Sequence, residues 1–192
     1  MESLFISTGV VALAEIGDKT QLLAFILAAR FKKPLPIILG IFCATIVNHG
    51  LAGALGAWIT SAITPETMRW VLGASFIAMA IWTLIPDKIE EEETQVAKHL
   101  GVFGATLITF FLAEMGDKTQ IATVAMAAKF SSPLLVVMGT TLGMLIADVP
   151  AVFVGDRFAA KIPMKLVHSI AAGIFAILGI ATLAGAGAGF GF

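Results

Sequence analysis

The sequence predicts an all-α integral membrane protein with six transmembrane helices, arranged as two inverted three-helix repeats. Three observations support this prediction. First, 58% of the 192 residues are hydrophobic, only 13% are charged, and the mean hydropathy is +0.97, which is more apolar than a soluble domain with one buried core. Second, six apolar runs are long enough to cross a bilayer. Third, one segment occurs twice, 99 positions apart.

The six apolar runs are separated by polar or charged segments. They cover residues 4–29, 35–60, 68–86, 101–128, 133–155 and 166–186. Backbone groups in lipid must form their hydrogen bonds within the protein, and a β-barrel would show segments of about ten residues with alternating hydrophobicity. The runs are longer and do not alternate, so we expect a helical bundle.

The repeated segment reads Leu-Ala-Glu-Ile-Gly-Asp-Lys-Thr-Gln at residues 13–21 and Leu-Ala-Glu-Met-Gly-Asp-Lys-Thr-Gln at residues 112–120. Under the same shift, 14 of the 28 positions from 13 to 40 are identical. Each copy belongs to three predicted helices, and an odd number of crossings reverses the orientation of the second unit. We therefore expect repeats at residues 1–86 and 101–192, joined by an acidic cytoplasmic linker at 87–100, as in many secondary transporters.

Basic residues outside the predicted spans indicate the orientation. With the N-terminus outside, the cytoplasmic loops hold Arg30, Lys32, Lys33, Lys88, Lys98, Arg157, Lys161 and Lys165. The opposite side holds Arg69 and Lys129. Since cytoplasmic loops are enriched in Lys and Arg, we expect a multi-pass protein of the bacterial inner membrane with both termini on the periplasmic side.

Each copy of the repeat carries three charged residues at membrane depth. They are Glu15, Asp18 and Lys19 in the first span, and Glu114, Asp117 and Lys118 in the fourth. A central charge costs about 2.5–3.5 kcal/mol on insertion scales, so such residues indicate a functional site by default. Acids three positions apart share a helix face, and the glycine between them permits close helix approach or a local break. We expect the four carboxylates to meet near the midplane.

These carboxylates have the chemistry of a site for a hard divalent cation. Four neutral side chains follow them and add oxygen ligands: Thr20, Gln21, Thr119 and Gln120. Oxygen ligands suit Ca²⁺, Mn²⁺ or Mg²⁺, whereas zinc and copper sites draw on His and Cys. Four acids and two lysines sum to −2, which one divalent cation or two protons neutralise equally well. We therefore expect cation/proton exchange with no cofactor, in which one repeat rocks against the other.

Further polar residues lie within the second and fifth spans. Asn48 and His49 are in the second and Asp148 is in the fifth, and His49 corresponds to Asp148 under the shift of 99. At that depth they are candidates for a proton relay or for support of the cation ligands, although a hydrogen bond between helices would equally explain His49. An imidazole beside the site would favour Mn²⁺ over Ca²⁺. For Lys19 and Lys118 we favour pairing with acids or electrostatic tuning.

The sequence Glu-x-Gly-Asp-Lys-Thr at residues 15–20 and 114–119 resembles the motif Glu-x-Gly-Asp-[Lys/Arg]-[Ser/Thr] of a family of small membrane cation exchangers. That family includes Golgi manganese/calcium transporters of eukaryotes and bacterial manganese exporters, and the resemblance extends over essentially the whole chain. It implies exchange of Mn²⁺ or Ca²⁺ for protons, with manganese export favoured in bacteria. It also implies cation binding by Glu15, Asp18, Glu114 and Asp117, with Thr20 and Thr119 close by.

Two other functions stay open on the sequence. Two membrane aspartates in a Gly-Asp context also resemble intramembrane aspartyl proteases, although here Glu replaces the first Gly of Gly-x-Gly-Asp and the motif is duplicated. A passive cation channel would use the same carboxylates without proton coupling. The net charge of −1 and the lack of a basic stripe argue against a nucleic-acid partner. We expect a transporter rather than an enzyme, with the lipid bilayer, a divalent cation and protons as its partners.

Overall fold

The computed structural model describes residues 1–85, 100–154 and 164–185. Within these ranges the chain forms eight α-helices and no β-strand, which confirms the all-α prediction. In chain order they are α1 (Glu2–Glu15), α2 (Lys19–Phe31), α3 (Pro34–Ala62), α4 (Pro65–Thr83), α5 (Val102–Glu114), α6 (Lys118–Lys129), α7 (Pro133–Val154) and α8 (Met164–Leu183). The expected acidic linker, apart from residue 100, and the basic residues Arg157 and Lys161 lie outside the described residues.

Two of the six predicted spans are interrupted. Residues 4–29 form α1 and α2, and residues 101–128 form α5 and α6. At each break a glycine has a left-handed backbone, with a φ of +86° at Gly17 and +74° at Gly116, where a side chain would crowd the backbone. The sequence allowed either close helix approach or a local break at these glycines, and the structure shows the break, with the paired acids on either side of it.

The helices of the two halves of the chain begin at matching positions. Helices α2, α3 and α4 begin at residues 19, 34 and 65, and helices α6, α7 and α8 begin at residues 118, 133 and 164, which is 99 positions later in each case. Both Pro34 and Pro133 occupy the first helical position, where proline loses no hydrogen bond. The internal repeat of the sequence is therefore also a repeat of local structure.

The first helix of each half packs against a long helix of the other half: α1 lies along α7, and α5 lies along α3. A Cβ added to Gly139 of α7 would lie 2.5 Å from the carbonyl oxygen of Leu4. A Cβ added to Gly40 of α3, the equivalent position, would lie 3.0 Å from the carbonyl oxygen of Phe103. Since glycine permits this close backbone approach, the two halves are interlocked through equivalent contacts.

The chain exposes large apolar side chains and buries acids and amides, which is the reverse of a soluble protein. Helix α3 and residues Pro133–Phe153 are long and apolar enough to cross a membrane, and Val102–Glu114 and Ser169–Leu183 are shorter apolar helices. On α3 the side chains of Leu51 and Trp58 are more than half exposed. An apolar exterior around a polar interior is the pattern expected of a bundle surrounded by lipid.

Candidate cation site

Three acidic side chains from both halves of the chain converge at the helix breaks. Glu15 ends α1, Glu114 ends α5, and Asp117 immediately precedes α6. One carboxylate oxygen from each of the three lies within 4.8 Å of the other two, and all three side chains are buried. The structure therefore brings together three of the four carboxylates expected to meet, while Asp18 lies outside this group.

In each glutamate of this group, one carboxylate oxygen accepts a hydrogen bond and the other does not. The Thr20 hydroxyl donates to Oε2 of Glu15 at 2.6 Å, and the Thr119 hydroxyl donates to Oε2 of Glu114 at 2.9 Å. Oε1 of both glutamates and Oδ2 of Asp117 are buried with no hydrogen-bond partner in the part of the chain that the structure describes. Buried acceptors without donors are costly, and a bound cation would satisfy them.

Two ion pairs cross between the motif copies. Lys19 Nζ lies 3.6 Å from Oδ1 of Asp117, and Lys118 Nζ donates to Oδ1 of Asp18. Each lysine therefore pairs with the aspartate of the other copy, in agreement with the expectation that the lysines pair with acids. The pairs hold the start of α2 beside the start of α6. They also give Asp18 a lysine partner, while Glu15 and Glu114 receive hydroxyl donors.

The two glutamines support the helix breaks. Oε1 of Gln21 accepts from the backbone N–H of Gly17 at 2.9 Å, and Oε1 of Gln120 accepts from that of Gly116 at 2.8 Å. The sequence suggested these amide oxygens as cation ligands. The structure gives both of them a backbone partner, because a helix break leaves N–H groups that need acceptors.

The amide nitrogens of these glutamines anchor the breaks to the long helices. Nε2 of Gln21 donates to the carbonyl oxygen of Ala147 at 2.8 Å, and Nε2 of Gln120 donates to Oδ1 of Asn48. Positions 48 and 147 are 99 residues apart, so the two contacts are equivalent although one acceptor is a side chain and the other is backbone. The sequence analysis did not predict that the Ala147 carbonyl would accept this hydrogen bond. The correspondence of Ala147 to Asn48 under the shift of 99 could have indicated it.

The remaining predicted residues lie in the polar interior beside these anchors. Asn48 also donates to the carbonyl oxygen of Phe111 at 3.4 Å, which ties α3 to α5. His49 and Asp148 are fully buried, and among the described residues neither ring nitrogen of His49 and neither oxygen of Asp148 has a hydrogen-bond partner. The hydrogen bond between helices that would have explained His49 is therefore not formed within those residues.

The broken helices direct four of their ends toward this region. The carboxyl ends of α1 and α5 carry Glu15 and Glu114, and the amino ends of α2 and α6 follow Asp18 and Asp117. Carbonyl groups at a helix carboxyl end attract cations, and N–H groups at an amino end stabilise carboxylates. Interrupted membrane helices whose ends and acids meet at a buried point are characteristic of ion-coupled membrane transporters.

The chain belongs to the divalent cation/proton antiporter GDT1 family. The sequence model of that family matches residues 3–91 and again residues 102–189. Each match contains one copy of the Glu-x-Gly-Asp-Lys-Thr motif. The chain thus belongs to the class of membrane transporters. The family description argues against the alternative of an intramembrane aspartyl protease.

Several relatives match along most of the chain. A protein of Vibrio cholerae serotype O1 named "Putative manganese exporter" is 50% identical over 183 residues, which cover 95% of this chain and 90% of that protein. GDT1-like protein 3 of Oryza sativa subsp. indica is 28% identical over 199 residues, covering 91% of this chain and 71% of the relative. GDT1-like protein 5 of Arabidopsis thaliana is 27% identical over 214 residues, covering 92% and 93%. No solved structure matches the chain.

Proposed function

We propose that this protein exports Mn²⁺ across the bacterial inner membrane in exchange for protons, by alternating access to one carboxylate site. Membership of a divalent cation/proton antiporter family supports the exchange. The name of the Vibrio cholerae relative supports manganese as the cargo. Ca²⁺ is the alternative cargo, because both ions accept oxygen ligands.

The observation that carries the proposal is the group formed by Glu15, Glu114 and Asp117. Their carboxylate oxygens lie within 4.8 Å of one another, in a site that is fully buried. Ionised carboxylates this close repel strongly in a medium of low dielectric constant. A divalent cation or added protons relieve that repulsion, so the two compete for the same oxygens and the site exchanges one for the other.

The surrounding residues have supporting roles in this proposal. The hydroxyls of Thr20 and Thr119 orient the two glutamates and leave one oxygen of each for the cation. Lys19 and Lys118 offset the charge of Asp117 and Asp18. With four acids and two lysines the site has a charge of −2, and one Mn²⁺ or two protons bring it to neutrality.

We also propose that the chain crosses the membrane six times, as two inverted repeats with both termini periplasmic. In this arrangement α1 with α2 and α5 with α6 each form one broken crossing, while α3, α4, α7 and α8 form one crossing each. The starts of matching helices 99 positions apart support the repeat. The equivalent packing of α1 on α7 and of α5 on α3 supports a pseudo-two-fold relation between the halves.

The interlocked packing changes the expected movement. Helix α1 contacts α7 of the other half through backbone at Gly139, and α5 contacts α3 at Gly40. A rocking of one sequence repeat against the other would separate both contacts. We therefore propose that α1 and α2 move with α7, and that α5 and α6 move with α3, so each moving unit contains helices from both repeats.

Transport by the purified protein in lipid vesicles tests the proposed function. Uptake of Mn²⁺, Ca²⁺ and Mg²⁺ is measured with and without an imposed pH gradient, together with the internal pH. We expect the pH gradient to drive Mn²⁺ against its own gradient, with protons moving in the opposite direction. Cation flux that moves no protons and ignores the pH gradient would contradict the exchange and indicate a channel.

Substitutions at the two glutamates test whether the site is shared. We expect Glu15→Gln and Glu114→Gln each to reduce Mn²⁺ flux by about tenfold or more, because each removes one charged ligand of the same ion. Glu66→Gln is the control, since Glu66 is exposed at the start of α4 and its replacement is expected to leave flux unchanged. Normal transport in either glutamate variant would contradict a shared site.

A further inference from the structure

Asp148 is a buried acid that lies outside the group of Glu15, Glu114 and Asp117. It is in α7 and is fully buried. Neither of its oxygens has a hydrogen-bond partner among the residues that the structure describes. A buried ionised carboxylate is tolerated when it is paired or binds a metal. A bound ligand could therefore supply the partner that the Asp148 oxygens lack among the described residues.

The position of Asp148 relates it to the cation site. Helix α7 runs alongside α1 in the same direction, because a Cβ added to Gly139 would lie 2.5 Å from the carbonyl oxygen of Leu4, and one added to Gly143 would lie 2.7 Å from that of Thr8. The next turn of α7, which carries Asp148, therefore lies near the carboxyl end of α1 at Glu15. The carbonyl of the preceding residue, Ala147, accepts the hydrogen bond from Gln21, which joins this part of α7 to the helix break that follows Glu15. These contacts place the turn of α7 that carries Asp148 near the helix break that follows Glu15.

The matching position in the other half has a different chemistry. His49 of α3 corresponds to Asp148 under the shift of 99 residues, and its neighbour Asn48 accepts from Gln120 as Ala147 accepts from Gln21. Histidine cannot supply a negative charge. The α7 side of the site therefore has an additional acid that the α3 side lacks, although the surrounding contacts are equivalent.

We propose that Asp148 is a further binding residue for the transported divalent cation, presented from α7 beside Glu15 and Glu114. A cation between the glutamates is attracted toward Asp148, which has the unfilled acceptors and a full negative charge when ionised. The cation then removes the repulsion among four acids rather than three. Because α7 belongs to one of the two proposed moving units, a ligand on α7 also couples cation binding to the position of that unit.

This inference rests on the proposed function, and equilibrium binding separates the two. Mn²⁺ binding to the full-length protein in detergent is measured by titration calorimetry for the wild type, Asp148→Asn and Thr141→Val. Thr141 is the matched control, since it is a buried residue of α7 whose hydroxyl also lacks a hydrogen-bond partner in the described chain. We expect Asp148→Asn to weaken Mn²⁺ binding by about tenfold or more, and Thr141→Val to leave it within about twofold.

The outcomes distinguish the two proposals. Wild-type affinity in Asp148→Asn, together with lost binding in Glu15→Gln, would overturn this inference and leave the proposed function intact. No Mn²⁺ binding by the folded wild type would overturn both. If Asp148→Asn does not fold, Asp148→Glu is used instead, because it keeps the charge and moves the carboxylate by one methylene. We then expect the ratio of Mn²⁺ to Ca²⁺ affinity to change, and an unchanged ratio would overturn the inference.

Discussion

At the scale of single residues, the two motif copies are nearly identical in sequence but differ in their surroundings. Lys118 is 1% exposed and donates to Asp18, whereas Lys19 is 17% exposed and lies 3.6 Å from Asp117. A more deeply buried pair interacts more strongly, and the loss of one partner leaves an uncompensated buried charge. The two lysines are therefore matched probes of how burial changes the energy of an ion pair.

We predict that Lys118→Met destabilises the protein more than Lys19→Met does. Removing one member of a buried pair costs about 3–5 kcal/mol, and the cost falls as solvent access increases. Thermal unfolding in detergent measures both variants, and adding Asp18→Asn to Lys118→Met should recover part of the loss, because it removes the buried charge that Lys118 compensates. Equal destabilisation by the two single substitutions would contradict this prediction.

At the scale of secondary-structure elements, the breaks between α1 and α2 and between α5 and α6 bring together the acids of the candidate site. A continuous helix would place Glu15 and Asp18 on one face with their backbone groups bonded within the helix. The break instead ends one helix at Glu15 and begins another after Asp18. It depends on the positive φ of a glycine in each copy and on a glutamine four residues later that accepts the glycine N–H.

We predict that Gly116→Ala destabilises the protein by about 1–2 kcal/mol, the cost of a left-handed backbone for a residue with a Cβ. A Cβ at this position would meet no atom within 4 Å, so a steric clash does not contribute. Gly173→Ala in α8 is the control, because its Cβ would also meet nothing within 4 Å, and alanine favours a helix. Unfolding measurements that show the same loss for both variants would exclude the backbone explanation.

At the scale of the whole molecule, the proposed inverted repeat would place equivalent positions on opposite sides of the membrane. Lys32 follows α2 and Ser131 lies between α6 and α7, and both are exposed. They are 99 positions apart and therefore occupy the same place in their respective halves. A parallel repeat would put them on the same side of the membrane, whereas an inverted repeat puts them on opposite sides.

We predict that a membrane-impermeant thiol reagent labels Ser131→Cys in spheroplasts, which expose the periplasmic face, but labels Lys32→Cys only after the membrane is opened. Both variants are made with Cys43→Ser, since Cys43 is the sole cysteine of the chain. This labelling pattern is expected because Lys and Arg are in excess in the loops assigned to the cytoplasm, which include Lys32. Labelling of both cysteines from the same side would contradict the inverted repeat, and labelling of Lys32→Cys alone would reverse the orientation.

The sequence allowed the site to be anticipated in part. The four motif carboxylates were expected together because charged residues at membrane depth need one another or a cation, and the structure brings Glu15, Glu114 and Asp117 together but not Asp18. Gln21 and Gln120 were suggested as ligands, because the sequence shows that an amide oxygen is present but not what it contacts. The partners of their amide oxygens are the backbone N–H groups of Gly17 and Gly116. These hydrogen bonds depend on the helix break, which a glycine permits but does not require.

The sequence by itself determined that the protein is an apolar bundle, that it is a duplicated unit, and which acids lie within apolar segments. These properties depend on composition, spacing and the cost of charge in lipid, which are local. The tertiary structure alone decided which lysine pairs with which aspartate, that α1 packs on α7 and α5 on α3, and that the Ala147 carbonyl receives Gln21. Those features depend on contacts between residues far apart in the sequence, and local patterns do not specify which distant surfaces meet.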